Sequence, residues 1–116
     1  MSRRFRMGDR VLHADENDFH DCADSHSLFL VIFSMEGCHY CTDLIENVLT
    51  KIAKPAKELD FWVLLIDAQD AGDLIKKLNI EGYPAIYSMR DGQMFFYRGK
   101  RDLVSIVDFM KQLQKK

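Results

Sequence analysis

Two cysteines separated by two residues, Cys38 and Cys41, are the side chains of this sequence best suited to chemistry. A thiolate attacks a disulfide, and a second thiol close by can then displace whatever the first has captured. The same spacing also provides half of a zinc site, but structural zinc needs four closely set ligands. Cys22, His20 and His26 lie on a predicted helix and the loop after it rather than in such a set, so we expect no metal site.

The sequence around Cys38 indicates that it begins a helix. It follows the continuous apolar run Leu28–Phe33, which is typical of a strand buried on both faces. It precedes apolar residues at helical spacing, namely Leu44, Ile45, Val48, Leu49, Ile52 and Ala53. Unpaired N–H groups and the helix dipole stabilise a thiolate at a helix N-terminus, and such thiols have pKa values of roughly 3.5–7.5. We therefore assign Cys38 as the nucleophile and Cys41, on the same helical face, as the resolving thiol.

The rest of the chain alternates between strands and helices. We predict further strands at Val11–Leu12, Phe61–Ile66, Ala85–Met89 and Met94–Tyr97, the last two joined by a turn at Asp91–Gly92. Helices are predicted at Asn17–Ala23, Leu74–Leu78 and Leu103–Met110. Pro55 should end or kink the helix that follows Cys38. This order predicts an α/β fold with a central mixed sheet of four to five strands flanked by helices.

Size and composition indicate one ordinary globular domain. The chain has 116 residues, of which 47% are hydrophobic and 29% charged, and its net charge is −2. That charge gives no reason to expect binding to nucleic acid or an anionic membrane, and no apolar run approaches the ~20 residues of a membrane span. We expect residues 1–10 to be a flexible segment and residues 11–116 to form the domain. Neither a secretory signal nor a disulfide framework is recognisable, so we expect a cytoplasmic protein.

Three features occur together in the sequence: the dithiol after Leu30–Phe33, the segment Ile80–Ile86, and Gly99 after the last strand. On these features the sequence resembles the thioredoxin superfamily from about Val11 to Gln114, and it is most similar in pattern to the catalytic domains of protein disulfide isomerases. The resemblance implies the thioredoxin fold. It also implies that the protein is an enzyme, a thiol–disulfide oxidoreductase that transfers electrons to or from protein substrates.

The resemblance further implies roles for residues beyond the dithiol. In the family, the proline at the position of Pro84 is cis and faces the dithiol, and the backbone at Tyr83 pairs with an extended substrate segment. The redox-active group is the Cys38–Cys41 disulfide itself, so no separate cofactor is expected. The partners are protein thiols and disulfides together with a recycling reductase or oxidant, and we expect the protein to be a monomer.

Three positions depart from the family pattern. Gly37 replaces the usual tryptophan before the first cysteine, which removes an aromatic surface from the substrate-binding side of the site. Ile32 stands where the family buries an acid, and Val63 replaces a lysine that often accompanies this acid. Those buried groups help to remove the proton from the resolving thiol. Without them Cys41 should keep a high pKa and react slowly, because burial disfavours the thiolate.

Residues close to the cysteines are candidates for tuning their reactivity. We consider Glu36, His39 or a bound water as substitutes for the missing acid, and His39 as a group whose imidazolium lowers the pKa of Cys38. An exposed His39 without a role explains the sequence equally well. The two residues between the cysteines, His39 and Tyr40, differ from those usual in thioredoxins and in disulfide isomerases. A tyrosine immediately before the second cysteine is a feature that resembles glutaredoxins. The direction of exchange therefore stays open, and so do two alternatives: a non-catalytic thioredoxin-like binding module and a glutaredoxin-like iron–sulfur carrier.

Overall fold

A computed structural model describes residues 5–115 of the chain. Its strands are β1 (Phe5–Gly8), β2 (Val11–Ala14), β3 (Phe29–Ser34), β4 (Trp62–Asp67), β5 (Ala85–Arg90) and β6 (Gln93–Phe96). Its helices are α1 (Glu16–Asp24), α2 (His39–Leu44), α3 (Ala53–Leu59), α4 (Gly72–Lys77) and α5 (Leu103–Gln114), and α2 continues as a π-helical turn over Ile45–Leu49. In this part of the chain no helix has both the length and the apolar character needed to cross a membrane.

The strands form one six-stranded sheet in the order β1-β2-β4-β3-β5-β6. The pairs β2–β4 and β3–β4 are parallel, and the other three pairs are antiparallel. Arg90 pairs with Gln93 across the β5–β6 turn, where Asp91 and Gly92 both have positive φ. Two central residues with positive φ are the signature of the tight hairpin turn that Asp-Gly predicts. The expected mixed sheet is confirmed.

The central strand β3 is buried along its whole length, as its continuous apolar sequence predicts. Leu30 and Ile32 point into a core covered by α2, α3 and α5. Phe29, Val31 and Phe33 point into a second core covered by α1 and α4. Apolar packing on both faces therefore holds β3 in place, and with it the loop that follows this strand.

The N-terminus differs from the prediction. Phe5–Gly8 forms β1, which pairs antiparallel with β2, so the expectation of a flexible segment over residues 1–10 is wrong for these four residues. Residues 1–4 lie outside the part that the structure describes. The sheet therefore gains a strand beyond the four to five expected. Short strands with basic residues are typical of sheet edges, and from the sequence alone such a strand is easily mistaken for a solvated tail.

The helical region after Cys38 is divided differently from the prediction. The helix ends after Leu49, before Pro55 is reached, and Pro55 is the third residue of α3. The N–H groups of a helix's first turn have no acceptor within the helix, so a proline there costs no hydrogen bond. The prediction that Pro55 ends or kinks the preceding helix is therefore wrong.

Candidate active site: the Cys38–Cys41 pair

The sheet register brings the dithiol and the proline segment to the same end of the molecule. Phe33, next to the last residue of β3, pairs with Ala85, the first residue of β5. The loop that carries Cys38 follows β3, and the Tyr83–Pro84 step immediately precedes β5. The Tyr83–Pro84 peptide bond is cis and Pro84 is buried. Two segments far apart in sequence thus meet at one end of the sheet.

A tight turn connects β3 to the dithiol. The N–H of Cys38 donates to the carbonyl of Met35 at 3.2 Å, which closes a four-residue turn. Gly37 occupies its third position with φ +79°, the position at which type II turns require a positive φ. Glycine adopts this conformation without the steric penalty that a side chain brings. The backbone at position 37 therefore favours glycine, at the position where the family usually has tryptophan. The sequence alone did not reveal this backbone conformation.

We expect Gly37→Ala to lower the free energy of unfolding by about 1 kcal/mol, because a side chain at positive φ is strained. Apart from residue 37 and its two chain neighbours, no atom of the described residues lies within 4 Å of the added methyl group, so the effect comes from the backbone. Gly72→Ala is the matched control: its methyl group also enters open space, and Gly72 does not have a positive φ. Chemical denaturation measures both variants, and equal stability of the two would contradict this account of the turn.

Cys38 caps the N-terminus of α2. Its backbone is extended, with φ −83° and ψ 109°, and its Sγ accepts a hydrogen bond of 3.1 Å from the N–H of Cys41. The predicted position of Cys38 at a helix start is confirmed. One of the otherwise unpaired N–H groups of the helix therefore points directly at the sulfur, and this favours the thiolate when the cysteine is reduced.

The two cysteines are joined as a disulfide. Their Cα atoms are 5.2 Å apart, within the range of roughly 4.4–6.8 Å that such bonds require. Cys38 is half-buried, whereas Cys41 is only 4% exposed. Of the two cysteines, Cys38 is therefore the one that is open to solvent, and Cys41 is covered. This asymmetry supports the assignment of Cys38 as the attacking thiol.

The interior beneath α2 is apolar. Ile32 and Val63 are both buried in the core that also contains Leu44, one helical turn after Cys41. Among the described residues, the buried polar side chains are Asp18, Ser34 and Ser88. Asp18 forms a capping box with Asp15 at the start of α1, which covers the other face of the sheet. Within residues 5–115, the structure thus supplies no buried acid or lysine on the Cys41 side of the sheet.

The three candidate tuning residues lie at the surface. Nε2 of His39 is 3.4 Å from Oδ2 of Asp43, one turn along α2, and the His39 side chain is 82% exposed. Tyr40 is 66% exposed, and Glu36 is exposed as well. Within residues 5–115, none of them forms a hydrogen bond to either sulfur. Because Asp43 carries the opposite charge, it opposes any effect of a protonated His39 on Cys38, so a tuning role of His39 stays a prediction.

Sequence reasoning missed Arg101. Its guanidinium donates to the carbonyl oxygen of Pro84 at 3.4 Å and so ties the start of α5 to the proline segment. The available signal was a basic cluster, Arg98 to Arg101, immediately before Asp102, the N-cap of α5. A contact between residues that lie 17 positions apart leaves no periodic trace in the sequence.

Metal-ligating residues do not cluster in the described part of the chain. No group of three or more His, Cys, Asp or Glu side chains there is arranged to hold a metal ion. The third cysteine, Cys22, lies half-buried on α1 and is not part of a disulfide. His20 lies 3.9 Å from Glu16 on the same helix.

Comparison of the sequence with known proteins gives one family. The thioredoxin family model matches residues 10–112. The chain is 31% identical over 105 residues to protein disulfide-isomerase A4 of Mus musculus, an alignment that covers 86% of this chain and 16% of that protein. It is 30% identical over 108 residues to a protein disulfide-isomerase of Datisca glomerata, with 88% of this chain and 21% of that protein covered. The chain therefore spans only about a fifth or less of the length of these relatives.

Solved structures agree with the sequence comparison. The solution structure of the first thioredoxin domain of mouse protein disulfide-isomerase A4 matches with a TM-score of 0.80 and 27% identity, covering 90% of this chain and 76% of that one. The crystal structure of the J-Trx1 fragment of ERdj5 matches with a TM-score of 0.82, covering 92% and 53%, and its 24% identity bears on the fold alone. The fold expected from the sequence is confirmed.

Proposed function

Since the chain belongs to the thioredoxin family, we propose that it is a thiol–disulfide oxidoreductase that acts on protein substrates through Cys38 and Cys41. The observation that carries this proposal is the dithiol itself: a partly exposed cysteine at a helix N-terminus, bonded to a buried one. Thiolates are selectively stabilised at such positions. A disulfide with a purely structural role would not need one partly exposed cysteine as the N-cap of a helix.

The exchange proceeds in two balanced steps. In the reduced protein, the Cys38 thiolate attacks one sulfur of a substrate disulfide, the substrate S–S bond breaks, and the other substrate sulfur leaves as a thiolate. The thiolate of Cys41 then attacks Cys38, re-forms the Cys38–Cys41 bond and releases the second substrate thiol. Two electrons pass from the protein to the substrate. The same steps in reverse oxidise a substrate dithiol.

The two cysteines differ in burial, and this difference gives them different roles in the exchange. Cys38 loses its proton readily, because the N–H of Cys41 and the start of α2 both favour its anion. Cys41 loses its proton reluctantly, because it lies in an apolar interior without a buried base among the described residues. Capture of the substrate is therefore fast and its release is slow. Such a protein suits isomerisation, in which the substrate must stay attached while it rearranges, better than rapid reduction.

The backbone at Tyr83 supports the proposed binding of an extended substrate. Within residues 5–115, neither the N–H nor the carbonyl of Tyr83 is hydrogen-bonded to another part of the chain. Both groups immediately precede β5, at the end of the sheet where the loop that carries Cys38 follows β3. Free backbone groups at such a position can pair with a passing strand, which gives affinity with little dependence on the substrate's sequence.

Equilibration with glutathione redox buffers tests the proposal and determines its direction. We expect the Cys38–Cys41 bond to open and close reversibly as the ratio of reduced to oxidised glutathione changes. A potential of about −270 mV would identify a reductase, one of about −180 mV an isomerase and one of about −120 mV an oxidase. Alkylation of the free thiols followed by mass spectrometry measures the reduced fraction. A disulfide that stays closed at every ratio would rule out the proposed exchange.

A further inference from the structure

A groove of unusual charge lies beside Pro84. Two adjoining hollows, of about 520 and about 450 Å³, are both lined by Pro84, Phe96, Arg98 and Arg101. We call these four residues and the space between them the Arg98 groove. It starts at the segment proposed to hold the substrate backbone and continues over the edge strand β6. A polypeptide that pairs with Tyr83 would therefore extend into it.

The two arginines of the groove have no acidic partner among the residues that the structure describes. Neither Arg98 nor Arg101 forms an ion pair with any residue from 5 to 115. Other arginines do: Nη1 of Arg10 lies 2.6 Å from Oδ1 of Asp60, and Nε of Arg90 lies 3.8 Å from Oδ2 of Asp91. The guanidinium of Arg98 lies over the ring of Phe96, 5.2 Å from its centroid. This stacking and the bond from Arg101 to Pro84 hold both arginines without neutralising them.

The groove stays positive although carboxylates lie near it. Glu81 is the acidic residue that lines the second hollow, and no acidic residue of the described chain lines the first. Asp102, next in sequence to Arg101, lines neither hollow and accepts the N–H of Ser105 as the N-cap of α5. The protein as a whole has a net charge of −2. The positive charge of the groove is thus a local feature and not a consequence of overall composition.

We propose that the Arg98 groove binds acidic side chains of an extended polypeptide substrate, so that the protein favours disulfides flanked by aspartate or glutamate. The proposal rests on the proposed function, since it names the class of substrate for that site. Guanidinium groups form paired hydrogen bonds with carboxylates. Phe96 is 51% exposed beneath Arg98 and provides an apolar surface for the stems of such side chains.

The test measures capture of three peptides by Cys38 alone. The protein carries Cys22→Ala and Cys41→Ser, so that Cys38 is its remaining thiol. Each peptide contains one cysteine in a mixed disulfide with thionitrobenzoate, and the flanking residues are glutamate, glutamine or lysine. Attack of Cys38 on the peptide sulfur breaks this bond, joins peptide to protein and releases the coloured thionitrobenzoate thiolate. Its absorbance gives the second-order rate constant, and the ratio between peptides cancels any change in thiolate reactivity.

We expect the glutamate peptide to react about fivefold faster than the glutamine peptide at low ionic strength, and the lysine peptide to react slowest. Arg98→Glu should reverse this order, and added salt should weaken the preference, because exposed charges are screened. Lys54→Glu is the matched control. It makes the same change of charge at an exposed site on α3, where Ala53 lies against Gly8 at the opposite edge of the sheet.

Separate outcomes overturn the two proposals. If no peptide releases thionitrobenzoate, Cys38 is not a nucleophile and the proposed function fails. If all three peptides react at equal rates, or if Arg98→Glu and Lys54→Glu change the ratios equally, exchange stands and selection by the groove fails.

Discussion

Replacing Cys38 by serine is expected to lower the rate of protein disulfide reduction by at least about a thousandfold. The hydroxyl of serine does not ionise at neutral pH, so the variant lacks the nucleophile on which both steps of the exchange depend. Turbidity or thiol release from an insulin-type disulfide substrate measures the loss. No neighbouring thiol can compensate, because Cys41 is buried and Cys22 lies on α1, on the opposite face of the sheet.

Cys41→Ser should have a different effect, which separates the roles of the two sulfurs. This variant retains the accessible thiol and lacks the one that releases the substrate. We expect a mixed disulfide between Cys38 and the substrate to accumulate, visible as an added mass that a reductant removes. Cys22→Ser is the control and should turn over like the wild type. Full activity of Cys38→Ser, or an equal loss with Cys22→Ser, would contradict the assignment.

The features that sequence reasoning recovered depend on neighbours along the chain. The apolar run of β3 predicts burial of this strand on both faces, and the spacing of Cys38 and Cys41 predicts that they share one face of a helix. Together they place the dithiol correctly, because one element ends where the next begins. The Asp91–Gly92 turn was recovered for the same reason: its positive φ values are encoded by the two residues themselves.

The features that it missed depend on contacts distant in sequence. Residues Phe5–Gly8 form a strand because they can pair with the free edge of β2. No pattern within these four residues predicts that pairing. Pro55 breaks a helix in an interior position and is tolerated in a first turn, so its effect depends on where α3 begins. Arg101 lies beside Pro84 only because α5 starts next to β5. Such positions follow from the assembled sheet.

Ile32→Asp restores the acid that the family buries, and it should have the second largest effect. We expect it to lower the free energy of unfolding by about 3 kcal/mol or more, because it places a carboxyl group in an apolar core without a partner. We also expect faster release of the substrate. A carboxylate on the Cys41 side of the sheet can accept the proton of that thiol, which the wild-type interior cannot do.

The pH dependence of the stability of Ile32→Asp distinguishes a buried acid from a general packing defect. Burial raises the pKa of the introduced carboxyl group above its unfolded value, which is about 3.9. Between the two pKa values the folded state binds more protons than the unfolded state, so stability falls as pH rises. The variant should therefore be least destabilised in acid, and the deficit should grow until pH passes the raised pKa. Urea denaturation over a range of pH measures this.

Ile32→Asn is the matched control, because asparagine buries a polar group of the same size that does not titrate. Its stability deficit relative to wild type should be independent of pH, and it should not accelerate release. Single-turnover decay of the mixed disulfide measures release for the wild type and both variants. If asparagine accelerates release as much as aspartate does, loosened packing is the cause and proton transfer to a buried acid is not. If neither accelerates it at a pH above the raised pKa of the aspartate, where its carboxyl group is ionised, removal of the Cys41 proton does not limit release.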